Sequence, residues 1–439
     1  MLNLYKSFNT WERFEIMNKK TKDCLVIGFA LFAMFFGAGN LIFPPYLGYE
    51  AGTQNIAAMI GFIITGVGIP LLAIIACTKG DGTFETMASK IGPKFATIFA
   101  TLLFIAIGPM LGIPRTAATT YELTIHPIVP SISPLIWMFI YFAINLFFVF
   151  KQSSIIDTIG KFLTPALLII LAIIIIKGVI FPIGNIEPTG LTSVFSNSLL
   201  EGYQTMDALA ALLFAAIVSS SILAKGYKEK DLVSMTAKAG IVAAIGLAFV
   251  YGGLTLIGAQ TRDLAPVDVT KTQLLLIISK NILGNVGTII IGIAIGLACL
   301  TTSIGLITAG SSFFEEVSKG KLPYKVNAVV ISIISIVIGC FGVDNIIKIS
   351  GPILSILYPV AITLIITTLL DKFITNINAV RLGIYTSLVF GILSQIPQIN
   401  LNFIPLASKG FAWFIPTIIA IVIGYIIFRN KTNNIEQSN

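Results

Sequence analysis

Charged residues are scarce in this chain, and their scarcity excludes a soluble protein. Only 11% of its 439 residues are Asp, Glu, Lys or Arg, and 56% are hydrophobic, whereas a soluble domain carries about 25% charged residues. A soluble fold of this length has no means of burying so much apolar surface. We therefore expect that lipid surrounds most of the chain.

Residues that carry enzymatic or metal chemistry are also few. The single histidine, His126, lies in the loop HPIVP without neighbouring ligands, and the four cysteines form no CxxC pair, so neither a metal site nor a disulfide framework is indicated. No Ser-His-Asp set and no Gly-Lys phosphate loop is recognisable. We expect a protein that is not an enzyme and that binds no cofactor. Membrane topology explains the net charge of +8 better than a nucleic-acid partner does.

Long apolar runs are what the sequence does contain. A transmembrane helix needs about 20 mostly apolar residues, and about twelve such runs can be distinguished. They cover residues 24–47, 55–78, 93–113, 134–151, 155–180, 204–224, 233–259, 282–313, 324–341, 346–370, 379–396 and 410–428. The sequence thus predicts an all-α polytopic membrane protein whose longest connections are 114–133, 181–203 and 260–281.

The distribution of Lys and Arg predicts the orientation, because these residues concentrate in cytoplasmic loops. With the N-terminus inside and twelve spans, 21 of the 28 Lys and Arg residues are cytoplasmic and 7 are outside. We expect both termini to lie in the cytoplasm and the chain to reside in the cell membrane. Residues 1–16 are polar and do not resemble a signal peptide, and Met17 opens the basic lead MNKKTKD, so we expect Met17 to be the natural start.

The first apolar run contains the unusual stretch FFGAGNLIFPP, residues 35–45. Gly37 and Gly39 each weaken a helix by about 1 kcal/mol relative to Ala, and Asn40 adds an amide in hydrocarbon. Broken backbone is tolerated at membrane depth only where it is buried in protein or lines a cavity. Close helix packing is an alternative that explains the glycines but leaves Asn40 unexplained, so we predict a break in span one.

A hydroxyl cluster interrupts the eighth run. Thr301, Thr302 and Ser303 follow one another in ACLTTSIGLITAGSSFFEE, residues 298–316. Such hydroxyls often bond only to a carbonyl of their own helix. Three in a row point in different directions, however, and oxygen ligands of this kind suit a small, hard cation.

Two charged residues are candidates for function inside or near the membrane. Asp207 is the carboxylate placed most plausibly within a span, and an intramembrane ionisable residue is a functional candidate by default. The alternative is an interfacial residue stabilised by the helix dipole. Arg115 is a possible outer-gate cation or, equally, an arginine that snorkels to the interface.

These motifs resemble the branched-chain amino acid:cation symporter family, the bacterial carriers of leucine, isoleucine and valine. The resemblance is carried by FAMFFGAGNLIFPPYLG (32–48), IGPMLGIPRTAATTYE (107–122), EGYQTMDALAALLFAAIV (201–218) and the motif of run eight. That family is similar to the sodium-coupled transporters of the LeuT fold. The resemblance therefore implies a 5+5 inverted repeat, discontinuous helices 1 and 6, and two further C-terminal helices.

The resemblance also implies roles for particular residues. The substrate would contact Gly37, Ala38, Gly39, Asn40, Asp207 and Phe214. A sodium ion would contact the carbonyls of Ala33, Phe36 and Ala298 and the hydroxyls of Thr301 and Thr302. Asp207 would attract the substrate ammonium or titrate with transport. The second break is expected in LAALLFAAIV of span six, although that stretch has no glycine.

The predicted function is secondary active import of a branched-chain amino acid by sodium or proton symport, with a passive facilitator or channel as the alternative. Its partners would be the small-molecule substrate and the lipid bilayer, and the sequence does not predict an oligomeric state. The expected parts are a polar N-terminus (1–22), a first five-helix repeat (23–180), an outer linker (181–203), a second repeat (204–370), two further helices (371–428) and a tail (429–439).

Overall fold

The chain is helical throughout the residues that the computed structural model describes. Backbone is described for residues 2–80, 82–151 and 155–436, and side chains for 19–80, 82–151, 165–285 and 287–428. The helices are α1 (Leu2–Phe35), α2 (Ala38–Ala51), α3 (Asn55–Ile63), α4 (Ile69–Thr78), α5 (Phe84–Ser89), α6 (Pro93–Ile105), α7 (Ile113–Thr120), α8 (Pro134–Lys151), α9 (Ile155–Ile180), α10 (Val194–Tyr203), α11 (Asp207–Ala224), α12 (Leu232–Ala259), α13 (Lys271–Val317), α14 (Tyr324–Gly339), α15 (Val343–Leu369), α16 (Ile377–Leu393) and α17 (Phe414–Glu436). The side chain of Met17, the expected natural start, lies outside the described side chains, as does the tail 429–439.

Seven helical stretches of the described chain are long and apolar enough to cross a membrane, and four shorter apolar helices accompany them. Side chains that point away from the bundle are apolar too, for example Ile98, Phe139 and Ile245. An all-helical, multi-pass membrane architecture is therefore confirmed. The count of twelve spans and the division into two five-helix repeats remain predictions.

Both predicted discontinuities exist, but only the first lies where the sequence placed it. Span one is interrupted at Phe36 and Gly37, between α1 and α2. In span six, the expected site of the break in LAALLFAAIV is wrong, because those residues continue α11 without interruption. The interruption lies upstream, at residues 204–206, between α10 and α11. The stretch 194–203, which the sequence predicts to be a loop, forms helix α10.

Span three is longer than its apolar run indicates. Helical backbone continues from Pro93 to Ile125 and includes wider π-helical segments at Ala106–Gly112 and Tyr121–Ile125. Gly108 leaves helical geometry just before Pro109, whose ring removes a backbone donor and kinks the helix. This extension places residue 115 within the span. Helix α13 likewise begins in the predicted connection 260–281 and bends at Gly284 (φ 70°).

Helix α2 is held deep in the bundle by an unusually close contact with α12. A Cβ on Gly48 would collide with the backbone carbonyl of Thr255, and a Cβ on Gly258 would collide with that of Pro45. Only glycine permits two helix backbones to approach so closely. The contact fixes α2, and with it the break in span one, against the helix that carries Tyr251.

Candidate functional site

The break in span one exposes the start of α2 to the interior of the bundle. Gly37 has an extended backbone (φ −115°, ψ −168°), and its N–H donates to Oδ1 of Asn40 at 3.0 Å. That N–H is therefore already engaged. The N–H groups of Ala38 and Gly39 lie in the first helical turn, where no earlier carbonyl of the helix is available to them.

The break in span six brings a carboxyl group to the same depth. Met206 has the left-handed conformation (φ 64°) that separates α10 from α11. Asp207 is the first residue of α11 and is only 3% exposed. It is thus an N-terminal helix residue, as one sequence-based alternative held, but its helix begins inside the protein and not at the interface.

Asp207 joins the two breaks through hydrogen bonds. The amide Nδ2 of Asn40 donates to Oδ2 of Asp207 at 2.6 Å, and the hydroxyl of Tyr251 donates to the same oxygen at 3.2 Å. Asn40 also donates to the Tyr251 hydroxyl. Oδ1 of Asp207 takes part in none of these bonds. All three side chains are buried, so the carboxyl group is positioned by partners from α2 and α12.

Arg115 occupies the other side of this region. Its guanidinium donates to the carbonyl of Gln204 at 2.6 Å and to that of Thr205 at 3.4 Å. It stacks over the ring of Phe43, 5.4 Å from the centroid, and a Cβ on Gly39 would lie 2.8 Å from Nη2. Arg115 is only 4% exposed, which does not fit a side chain that snorkels to the interface.

A cavity of about 50 Å³ lies between the two breaks, which is room for a few water molecules. Its charged groups are the carboxyl of Asp207 and the guanidinium of Arg115. Among the described residues these two groups form no ion pair within 4.0 Å. The wall consists of Met34, Phe35, Gly37, Ala38, Asn40, Ile107, Gly112, Arg115, Thr116, Thr205, Met206, Asp207, Ala210, Phe214, Thr302 and Leu306.

Of the predicted sodium ligands of α13, Thr302 lines this cavity, and Ala298 and Thr301 are not part of its wall. The hydroxyls of Thr301 and Thr302 donate to the carbonyl of Ala298 at 2.9 and 3.0 Å. Each hydroxyl that donates its hydrogen in this way keeps its acceptor lone pairs. The bonds to the helix therefore leave the two hydroxyl oxygens able to accept a cation, whereas the Ala298 carbonyl already accepts two hydrogen bonds.

The predicted ligands of α1 are the carbonyls at the broken end of that helix. Ala33 belongs to its last turn, and Phe36 follows the last residue and still donates its N–H to the carbonyl of Phe32 at 2.8 Å. A Cβ on Gly37 would lie 3.9 Å from Cγ2 of Thr302. The break therefore packs beside the hydroxyl cluster, and the set of five oxygens as an ion site stays a prediction.

A barrier is formed by Glu201, near the end of α10, and Lys271, the first residue of α13. Nζ of Lys271 lies 3.5 Å from Oε1 of Glu201 and 3.8 Å from the ring centroid of Tyr46. Lys271 and Arg115 both lie near the Phe43 ring, 5.8 and 5.4 Å from its centroid. Arg115 thus lines the cavity beneath the barrier that Lys271 and Glu201 form.

A second barrier lies at the opposite end, where α11 finishes. Asp23 of α1 accepts from Nζ of Lys225 at 2.9 Å and from the hydroxyl of Tyr227 at 2.9 Å. The hydrogen bond from Lys225 lowers the pKa of the Asp23 carboxyl below its usual 3.8. The first half of span one is therefore tied to the end of span six.

Several residues of this arrangement carry no signal that sequence reasoning could use. Tyr251 is one of several hydroxyl residues of its run, with Ser234, Thr236 and Thr255, and nothing in the sequence sets it apart. Lys271 lies in a stretch whose composition predicts a loop. Arg115 was singled out because it follows span three towards the outside, and Asn40 because a polar group is costly in hydrocarbon. Tyrosine is ordinary there, so only the fold shows that its hydroxyl reaches Asp207.

Comparisons with known proteins agree on one class. A family model described as branched-chain amino acid transport protein matches residues 20–431. The branched-chain amino acid permease BraB of Bacillus subtilis (strain 168) is 39% identical over 429 residues, which is 92% of this chain and 95% of that protein.

Solved structures with the same fold are more distant in sequence. Mhp1, a nucleobase-cation-symport-1 family transporter in a closed conformation with bromovinylhydantoin bound, matches with a TM-score of 0.62 and 14% identity over 92% of each chain. MhsT in complex with L-phenylalanine matches with a TM-score of 0.54 and 18% identity over 91% of this chain and 98% of that chain. At these identities the likeness establishes the fold alone.

Proposed function

This chain belongs to the family of branched-chain amino acid transport proteins, and we propose that it imports leucine, isoleucine and valine across the cell membrane by cation symport. The observation that carries this proposal is the cavity between the two helix breaks. It holds one carboxyl group and one guanidinium that are not paired with each other, and a free amino acid carries the two complementary charges.

The substrate is oriented by its charged ends. Oδ1 of Asp207 accepts from the ammonium group, while the carboxylate lies at the start of α2 and near Arg115. A helix N-terminus favours an anion through its free N–H groups and its dipole. An arginine adds charge-assisted hydrogen bonds of a planar geometry that suits a carboxylate.

The substrate side chain is read by the apolar part of the wall. Phe214, Ile107, Leu306 and Ala210 offer hydrocarbon surface without a polar partner for a hydroxyl or amide. One methylene changes binding in such a pocket by only about 1–3 kcal/mol. We therefore expect overlapping recognition of leucine, isoleucine and valine and rejection of polar amino acids.

Transport proceeds by alternating access between the two barriers. In the proposed orientation the termini are cytoplasmic, so Lys271 and Glu201 form the outer barrier and Asp23 and Lys225 the inner one. The ion pairs of both barriers are formed, which supports an occluded conformation. The oxygens of Ala298, Thr301 and Thr302 suit sodium, whereas a proton as coupling ion would use Asp207.

Uptake of radiolabelled leucine into proteoliposomes tests this proposal. An imposed sodium gradient should drive accumulation above equilibrium, and replacing sodium by choline at a fixed pH gradient should abolish it if sodium is the ion. Accumulation that persists without sodium but follows the pH gradient would assign the proton. Equilibration without accumulation under either gradient would contradict symport and favour a facilitator.

A matched pair of variants links uptake to the cavity. Asp207→Asn removes the charge that the ammonium group requires, and losing a hydrogen bond to a charged group costs about 1.5–3 kcal/mol, or a KM about 10- to 150-fold higher. Asp263→Asn removes an equivalent charge from an exposed position outside the cavity and should leave KM unchanged. Equal effects of the two changes would contradict the assignment of Asp207.

A further inference from the structure

A second, larger cavity lies on the outside of the bundle, away from the candidate transport site. Its volume is about 570 Å³, and it opens between the π-helical segment Ile64–Gly68, α4, α10, α15 and the segment that leads into α17. Its lining is apolar except at one end. The lining residues are Ile64, Ile69, Ser193, Phe195, Ser196, Leu199, Tyr203, Ile362, Leu406, Lys409, Phe411, Trp413 and Phe414.

The length of this cavity along α10 is close to the thickness of one leaflet of a membrane. Ser193 and Tyr203 stand at the two ends of α10, and ten helical residues span about 15 Å. The hydrocarbon core of a bilayer is about 30 Å thick, so the cavity extends over about one leaflet. Phe195, Leu406 and Phe414 line it and are more than 40% exposed, which is typical of a surface that faces lipid.

The charge at the mouth is the second observation. Nζ of Lys409 donates to the hydroxyl of Ser193, and among the described residues Lys409 has no carboxylate within 4.0 Å. An uncompensated ammonium group thus stands where the apolar cavity meets the membrane surface. A ligand with a negative headgroup and a hydrocarbon chain complements both features.

We propose that this cavity binds an anionic phospholipid, with one acyl chain between α10 and α15 and the phosphate at Lys409. The proposal rests on the proposed function only for naming the leaflet as the outer one. Tyr203 stacks on Tyr358 with ring centroids 4.0 Å apart, and it directly precedes Gln204, whose carbonyl accepts from Arg115. The bound chain therefore contacts the helix end that leads into the break of span six.

Fluorescence quenching by brominated lipids tests the proposal without any need for transport. Trp413 lines the cavity, and Trp11→Phe with Trp137→Phe leaves it as the only tryptophan of the chain. The protein is reconstituted in phosphatidylcholine vesicles that contain an equal small fraction of either brominated phosphatidylglycerol or brominated phosphatidylcholine. Brominated phosphatidylglycerol should quench Trp413 more strongly.

Two further variants separate the headgroup from the chain. Lys409→Gln should lower the preference for phosphatidylglycerol about fivefold, which is the effect of one lysine near an anionic surface. The control Lys348→Gln changes an exposed lysine outside the cavity and should leave this preference unchanged. Ser196→Phe fills the cavity and should reduce quenching by both lipids. Equal quenching by the two lipids, no quenching, or a preference that survives Lys409→Gln would each overturn the proposal, whatever uptake assays show.

Discussion

Arg115 provides a sharp prediction, because its guanidinium has fixed partners and still lines the cavity. It is held by the carbonyls of Gln204 and Thr205 and by the ring of Phe43. If it also binds the substrate carboxylate, substituting it by Gln removes one member of a desolvated charge pair. Such a loss costs at least about 2 kcal/mol, which corresponds to binding about 30-fold weaker.

The conservative change Arg115→Lys should have a smaller effect. A lysine keeps the charge but loses the planar fork that serves the two carbonyls and a carboxylate together. We expect leucine to bind about tenfold more weakly to this variant, which is about 1.4 kcal/mol. Arg262→Gln is the matched control, because Arg262 lies over the ring of Tyr49 at 4.7 Å and outside the cavity wall.

Leucinamide distinguishes recognition of the carboxylate from simple damage to the fold. It keeps the ammonium group and the side chain of leucine but carries a neutral amide. Competition against radiolabelled leucine, measured by scintillation proximity on purified protein, gives the affinity of both ligands. Each Arg115 variant should lose affinity for leucine and little or none for leucinamide. Equal losses for the two ligands would refute a direct contact and leave Arg115 only the role of holding the break.

Two further predictions concern the ion and the inner barrier. Thr302→Ala removes one oxygen beside the break and should raise the sodium concentration for half-maximal leucine uptake about tenfold, the effect of a lost hydrogen-bonding group. Ser311→Ala removes a hydroxyl that is bonded to its own helix further along α13, and it should leave that concentration unchanged. An unchanged sodium requirement in the Thr302 variant would contradict the ion site. Lys225→Gln should speed maleimide labelling of the buried Cys24, compared with unchanged protein at the same pH. Because Lys225 lowers the pKa of Asp23, their interaction is complete above the usual pKa of 3.8 and is lost as the pH falls through the lowered value. The difference in labelling rate between the variant and the unchanged protein should therefore be constant from pH 6 to 8. A labelling rate that does not respond to Lys225→Gln would contradict the barrier.

Sequence reasoning succeeded where close helix packing could not explain every residue of an apolar run. Gly37 and Asn40 in a hydrocarbon span indicate broken backbone, and the break between α1 and α2 lies there. The apolar runs likewise predicted the helical, membrane-spanning character of the chain. These inferences depend on the cost of exposed polar groups in hydrocarbon, which is large and local.

The break in span six was misplaced because no local signal marks it. Its left-handed residue is Met206, where glycine would be expected, and the helix α10 before it is short and contains polar residues. Tertiary contacts compensate for this conformation, since Arg115 binds the carbonyls of residues 204 and 205. Such support from a distant helix has no signature in the residues of the break itself.

The ends of span three illustrate the same limit. Residues 114–125 contain Arg115, several threonines and Glu122, so their composition predicts a loop, yet they are helical. Their polar groups are paired inside the bundle: the Thr272 hydroxyl donates to Glu122 at 2.6 Å, and the Val343 N–H donates to its other oxygen at 2.9 Å. Hydropathy measures affinity for lipid, and these residues face protein.

A structure of the protein with leucine bound would test the central claim most directly. The bound ligand should lie between the start of α2 and the start of α11, with its ammonium group in hydrogen-bond range of Oδ1 of Asp207 and its carboxylate near the N–H groups of Ala38 and Gly39 and the guanidinium of Arg115. Leucine bound elsewhere, or bound in this cavity with its charged ends reversed, would contradict the claim that the two helix breaks form the substrate site.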